Sequence, residues 1–466
     1  MEFEPVLVET QSFYDLHRRT LKNGLRVWCV PRRGTGTVVV MSQLPVGVRT
    51  ETPENNGISH FLEHMLFTGT ERWDEAEVTE VIRRRGGEYN GQTSREETVF
   101  YIHVAADDTE FAVDWTHQLL SKPTLSADKF EKERQVIINE KGGEFDRLRR
   151  AWEWIEDHNL GWSVSRTVRR RLFPNSPLMM PVIGRDKTLN NITHTDLVNY
   201  YQDFYGPNNI TLLVVGDVDP ENAFDLVEQY FGEEPARPSP DTLPPFHVVS
   251  DPFQVRLHGP TPNDQGQFMT GAMLGAITHP DRFAWWTIAE MLENAYLLEV
   301  RYELGLSYGV QAYTALYSDV GYFGIYTSTK VSEFDVIRQV VEKHLKRLLD
   351  GDFSEQELSE AKAALRGRTL LNLQDNLEMA WWLSSDSLVF RDDNLPIEDY
   401  FGEVEQLTVE DIRRVAQQYL SPEKRFVVEH RPSLTPAKLR PIARMGALSL
   451  AGSALLFTRR RFHRKR

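Results

Sequence analysis

Two histidines and a glutamate lie within five residues, His60-Phe61-Leu62-Glu63-His64. On a helix, His60 and His64 stand one turn apart and leave the same face. That spacing offers two imidazole nitrogens to one Zn²⁺. Glu63, three residues after His60, sits at the edge of that face, within reach of a water on such an ion. Phe61, Leu62, Met65 and Leu66 are apolar, so the helix is expected to be buried and the site to hold little bulk water. The plain alternative is a hydrogen-bonded core patch. A chance match to so short a pattern is on the order of a few per cent in a chain of this composition. The motif therefore gains weight only from a third ligand and a place for substrate.

The stretch Ser126 to Glu140 supplies candidates for the third ligand. Ser126 can cap a helix there, and Asp128 falls in its first turn, where the helix dipole favours an acid. Glu133 and Glu140 share a face but lie two turns apart, about 10 Å, too far to bind one ion together. One can be a ligand while the other orients a histidine from behind. Glu144 is a rival on the same stripe. The alternative is the solvated side of a charged helix, which would be preferred if the histidine motif were absent.

Elements must hold these groups in place. Asn23-Gly24 reads as a turn feeding a strand over 25–30, and Thr37 to Gln43 as a second strand. A polar loop, Arg49 to Asn56, precedes the motif helix, with Ser59 as its expected N-cap. A helix over 74–85 is stopped by Gly86-Gly87. One strand is expected over 88–105 and a helix over 107–120. A helix (196–204), a Gly206-Pro207-Asn208-Asn209 turn and a strand (210–215) follow. Prolines at 235, 238, 240, 244 and 245 mark a semi-rigid linker.

The second half echoes the first. Thr193 to Ile210 has a counterpart in Thr408 to Arg425, and Leu125-Ser126 in Phe353-Ser354. Two domains of about 200 residues with one element order are expected: 1–234, a linker 235–245, then 246–435. In that register Glu133 falls opposite Ala361 and Glu140 opposite Arg368. The second half has no H-x-x-E-H. It does place Arg301 and Tyr308 on either side of a helix-to-strand turn at Gly305; by spacing alone, an ion-paired arginine and a half-buried tyrosine are the better reading.

Composition limits the class. The 466 residues are 41% hydrophobic and 26% charged, with net charge −15, an ordinary globular composition. Arg440 to Arg466 holds eight basic and no acidic residues, leaving −23 (−15 less +8) on the first 439. An acidic body argues against general nucleic-acid binding. The single cysteine, Cys29, excludes an internal disulfide framework and reads as a buried thiol. No signal peptide is visible at Met1-Glu2-Phe3-Glu4, and a cytoplasmic body is expected. In the tail, 436–466, the apolar run 445–457 flanked by arginines is short for a span. It suits contact with an anionic membrane surface, or is a dispensable tail.

Taken together, the chain resembles the M16 metallopeptidases, or inverzincins, whose signature is H-x-x-E-H. The resemblance runs over roughly residues 15–430. It is carried by Leu21-Lys-Asn-Gly-Leu-Arg-Val27, His60 to His64, Gly86-Gly-Glu-Tyr-Asn90-Gly-Gln-Thr93, Glu133 with Glu140, Val214 to Asp217, and Arg301 through Tyr308. It implies two α/β sandwich domains from an internal duplication, the first with the metal and the second without. It implies one Zn²⁺ held by His60, His64 and Glu140, with Glu63 as general base and Glu133 behind a histidine. Asn90 would lie on the strand that accepts an extended peptide. Arg301 and Tyr308 would contact substrate from the metal-free domain of a partner chain, in a homodimer or a heterodimer with a related chain. The implied activity is endopeptidase cleavage of peptides or small unfolded proteins in a closed chamber. A catalytically idle subunit or scaffold, and a zinc hydrolase of a non-peptide substrate, are the rivals. Two positions depart from the pattern: Gly91 follows Asn90 where the family often has alanine, and Glu293 to Tyr296 stands where it is often glycine-rich.

Overall fold

The computed structural model describes residues 14–142, 151, 153–155, 161–238, 251–259, 264–306, 309–389 and 399–432. Six strands form the first sheet: β1 (His17–Thr20), β2 (Arg26–Pro31), β3 (Thr37–Leu44), β4 (Glu88–Thr93), β5 (Thr98–Ala105) and β6 (Thr211–Gly216). Their order is β1-β2-β6-β3-β5-β4. Five more form the second: β7 (Gln254–Leu257), β8 (Gln265–Leu274), β9 (Gln311–Leu316), β10 (Gly321–Lys330) and β11 (Phe426–His430), in the order β7-β11-β8-β10-β9. Once β1 is set aside, the two orders coincide. In each sheet the chain's last strand pairs parallel with the first of the five, β6 with β2 and β11 with β7. The remaining pairs of the five are antiparallel. The fold is thus two copies of one α/β sandwich.

The echo between the halves extends to the caps. Thr193 and Thr408 each form a reciprocal capping box with an aspartate three residues on, Asp196 and Asp411. Each opens an 11-residue helix, followed by a 3₁₀ turn that starts at a proline, then β6 or β11. The sequence signal was a chain of backbone instructions, so it transfers intact.

Two local expectations are corrected. Residues 88–105 form a hairpin, not one strand: Ser94 N donates to Glu97 O at 2.7 Å, and Ser94 Oγ accepts from the amides of Glu96 and Glu97. The polar run 94–97 closes the turn. Ser59 is not the cap of the motif helix. That helix, α1 (Ile58–Leu66), starts from Gly57 at φ +100°, a left-handed conformation that glycine alone adopts without strain.

Helices α2 (Glu75–Arg83), α3 (Thr109–Ser121) and α4 (Ala127–Glu140) follow. Side chains of alternate residues leave opposite faces of a strand. On one face of the first sheet, Val27, Cys29, Val38, Val40, Phe100 and Ile102 bury against α1 and α3. On the other face Trp28, Val30, Val39, Met41, Leu213 and Val215 bury against Met379, Ala380 and Leu383, from the helix Asn376–Val389 of the second half. The second sheet is covered reciprocally. Val164, Val168 and Leu172, from the helix Val164–Leu172 of the first half, pack on Met269, Tyr322, Phe426 and Val428. The two halves exchange equivalent helices; residues 239–250, which include 239–245 of the proline-rich segment, lie outside the described ones. The tail from 433 onward also lies outside. No helix among the described residues is long and apolar enough to cross a membrane.

Candidate metal centre

The rotation of α1 is set by its apolar side chains. Phe61, Leu62, Met65 and Leu66 are fully buried, which turns His60 and His64 toward α4. Phe61 stacks on Phe130 of α4 with ring centroids 4.7 Å apart. Arg134 of α4, itself buried, donates to Ile192 O at 2.9 Å and also to Leu189 O. The N-terminus of α1 is closed by a side chain from outside the helix. Glu51 Oε2 accepts from Gly57 N (2.9 Å) and Asn56 Nδ2 (2.8 Å), and Oε1 from Ser59 N (3.0 Å). Burial pushes the Glu51 carboxyl up to about 7 against these hydrogen bonds, which favour its charged form.

His60, His64 and Glu140 converge. Their ligand atoms all lie within 4.8 Å of one another. Glu140 Oε2 is 3.9 Å from His60 Nε2 and 3.6 Å from His64 Nε2. Glu133 Oε2 lies 3.6 Å from His64 Nδ1, on the other side of that ring. Two turns of helix thus place the two carboxylates differently: Glu140 lies beside Nε2 of both histidines, and Glu133 beside Nδ1 of His64. Glu144 lies outside the described residues. Burial, with the neighbouring His64 charge, pushes His60 down to about 4, so its imidazole is neutral at pH 7. His64 is raised: burial opposes the charge, but Glu133, Glu63 and Glu140 together outweigh it.

The donor set fits zinc. Two imidazoles and one carboxylate are the His₂Glu set of catalytic sites, in which donors at about 2.0–2.2 Å leave a fourth position open. His60 Nδ1 is buried without a hydrogen-bond partner among the described residues. The side chain of Glu140 is 51% exposed, against 13% for His60, so the cluster is open on the Glu140 side.

Glu63 is buried on the same helix and faces β4, not α4. Its Oε2 accepts from Thr93 Oγ1 at 2.5 Å. Burial raises its carboxyl pKa, opposed by the Thr93 hydrogen bond and by His64. Gly91 stands on the same face of β4, and a Cβ there would lie 2.9 Å from Glu63 Oε1 and 3.0 Å from the Phe67 ring. At this position of departure, strand and carboxylate are therefore packed too closely for a Cβ unless Glu63 or Phe67 shifts. Thr93 was not singled out from sequence. The signal was present: 91 and 93 share a face by strand alternation, opposite to Asn90.

Asn90 is exposed on β4, the edge of the first sheet, and its Oδ1 accepts from Gly91 N at 3.0 Å. Arg301 lies far along the chain in a π-helical turn, Leu297–Glu303, exposed, with its guanidinium over Tyr302 at 5.8 Å. No hydrogen bond or ion pair joins it to the cluster among the described residues. Tyr308 lies outside them.

The second half keeps the scaffold and changes the chemistry. Its helix Arg282–Tyr296 carries Glu290, Glu293 and Asn294 at the spacing of His60, Glu63 and His64. Glu290 Oε1 accepts from Arg368 Nη2 at 2.9 Å and from Asn294 Nδ2 at 3.4 Å. Glu293 accepts from Ala312 N of β9, the strand corresponding to β4. An ion pair thus joins the two helices that correspond to α1 and α4 of the first half.

The chain is similar to known proteins in sequence and in fold. The family model described as Insulinase (Peptidase family M16) matches residues 32–150, and that described as Peptidase M16 inactive domain matches 191–365. An uncharacterized zinc protease of Streptomyces coelicolor is 26% identical over 90% of this chain and 89% of its own length. The mitochondrial-processing peptidase subunit beta of Saccharomyces cerevisiae is 28% identical over 84% and 86%. The crystal structure of a protease from Helicobacter pylori, 23% identical, has the same fold, with a TM-score of 0.78 over 90% of this chain and 100% of that one.

Proposed function

This chain belongs to peptidase family M16, and from that premise we propose that it is a zinc-dependent endopeptidase. Its substrates are peptides or small unfolded proteins bound as an extended strand. The observation that carries the reading is the convergence of His60, His64 and Glu140 beside Glu63 and the open edge strand β4. Zinc held by His60, His64 and Glu140 supplies Lewis-acid activation of water and of the scissile carbonyl. Glu63 takes the proton of the attacking water and returns it to the leaving nitrogen. Thr93 aims the Glu63 carboxylate, and Glu133 holds the His64 ring. The peptide pairs with β4 through main-chain hydrogen bonds, near Asn90, which makes binding tolerant of sequence.

The chamber is closed by a second chain, a homodimer partner or a related subunit, whose metal-free half presents Arg301 and Tyr308 to the substrate. The exposure of Arg301, its lack of a link to the cluster among the described residues, and the description of one relative as a subunit support this assembly. An idle, peptide-binding subunit is separated from an enzyme by one assay: cleavage of a mixed peptide library by chelator-treated and zinc-reloaded protein. Glu63→Gln is expected to keep zinc and lose about 10²–10⁴-fold in rate. Undiminished cleavage by that variant, or by the metal-free protein, would refute the mechanism.

A further inference from the structure

The third ligand sits in an unprotected place. Glu140 is the last residue of α4, where the final carbonyls have no intrahelical donors and helices fray. It is also half-exposed. A donor held only by its own helix end would wander by more than a metal site tolerates.

The next residue removes that freedom. Lys141, whose backbone N–H donates to Ile137 O at 3.1 Å, turns its side chain inward, where it is 8% exposed. Its ammonium meets three acceptors: Glu153 Oε1 at 2.8 Å, Asp186 Oδ1 at 2.8 Å and Gly184 O at 2.9 Å. An ammonium has three donors, and each has an acceptor within hydrogen-bond distance. A buried lysine is costly unless it is paired this completely. Its positive charge also complements the α4 C-terminus.

Those acceptors are anchored to the other ligand helix. Gly184 packs so closely on the start of α1 that a Cβ there would lie 2.7 Å from Asn56 O and 2.8 Å from Gly57 Cα. Thr188 Oγ1 donates to Asn56 O at 2.6 Å, and Asn56 Nδ2 to Pro181 O at 2.9 Å. Asn56 and Gly57 are held in turn by Glu51, the cap of α1. A continuous set of contacts therefore runs from the residue beside Glu140 to the first turn of the helix bearing His60 and His64.

We propose that Lys141 is a positioning residue for the metal centre: it locks the end of α4 to the start of α1, so that Glu140 faces the two histidines before any metal arrives. The inference rests on the zinc reading above and adds a residue outside the donor set. The test is zinc affinity by chelator competition, with the visible spectrum of the cobalt-substituted protein and the unfolding temperature of the metal-free protein read alongside. Lys141→Met is expected to weaken zinc by about ten- to a hundredfold, the usual effect of losing a group that orients a ligand, and to alter the cobalt spectrum. Asp186→Asn, which keeps the shape and removes one charge, is expected to shift both readouts in the same direction by less, and it decides the matter if Lys141→Met does not fold. Zinc affinity within about twofold of the parent with an unchanged cobalt spectrum would overturn the proposal, even if the metal-free protein melted lower. Failure of the parent protein itself to bind zinc would instead refute the metal reading, and this inference with it.

Discussion

Glu63 and Glu51 are both buried carboxylates near α1, and their partners separate their roles. Glu63 accepts one short hydrogen bond, from Thr93, and lies against Gly91 of β4. Removing that donor with Thr93→Val gives up a hydrogen bond to an ionised group, worth about 1.5–3 kcal/mol. Cleavage is expected to fall roughly ten- to a hundredfold with zinc content unchanged; loss of zinc instead would mean that Thr93 supports the helix and not the base. Glu51 accepts three donors at the head of α1 and is fully enclosed. Burial raises its pKa from 4.5 to about 7 in the folded chain. Between those values the folded chain holds a proton that the unfolded chain has released. The Glu51 contribution to stability is therefore fully present below pH 4.5 and is lost as pH rises through about 7. Urea unfolding of Glu51→Gln between pH 4.5 and 8 is expected to show a flatter decline than the parent; an identical slope would assign the titration elsewhere.

At the scale of elements, the site is a pair of packed helices beside the edge of a sheet. α1 brings two imidazoles and Glu63, α4 brings the carboxylates of Glu140 and Glu133 beside the imidazoles, and β4 meets Glu63 through Thr93. The same helix pair in the second half is joined by Glu290 and Arg368. The two copies thus share a helix pair and differ in the side chains that join it: Glu290 and Arg368 in one, His60, His64 and Glu140 in the other. The weak point of α1 is the residue just before it. Gly57 has φ +100°, and a Cβ there would lie 2.7 Å from Gly184 Cα. Gly57→Ala combines backbone strain with a backbone collision. A loss of about 1–3 kcal/mol or more is expected in denaturant unfolding, together with weaker zinc binding. A variant that unfolds like the parent would show that the turn relaxes without cost.

At the scale of the whole molecule, the two halves cannot be separated cleanly. Each sheet buries its outer face under a helix contributed by the other half. A polar contact adds to this. The fully buried Arg49 donates to Asp319 Oδ1 at 2.8 Å and to Ser318 Oγ at 3.1 Å, and it also pairs with Glu96; Ser318 N donates to Glu96 Oε2 at 2.8 Å. The chain is therefore expected to unfold as one unit. Leu383→Ala, in the exchanged helix, removes a fully buried side chain beneath the first sheet. It should cost about 2–5 kcal/mol, with probes in both halves reporting one midpoint. Two separate midpoints would show that the exchange does not couple the halves.

The sequence by itself determined what depends on neighbours along the chain. The i, i+4 histidines, the seven-residue spacing of Glu133 and Glu140, the capping boxes at Thr193 and Thr408 and the repeated element order are all local or periodic, and the backbone obeys them wherever it is packed. That is why the motif helix and the duplication were legible in the sequence, and why Glu133 and Glu140 could be told apart as candidates that cannot share one ion. The tertiary structure decided what depends on residues far apart. Glu51, and not Ser59, closes α1. Thr93 and Gly91 meet Glu63, Lys141 ties α4 to α1, and the two halves trade helices. Each of these is a contact across a loop or a sheet, made by a residue type that is common in polar surface stretches. Nothing in its immediate neighbours distinguishes such a residue from a solvated one until packing removes the water.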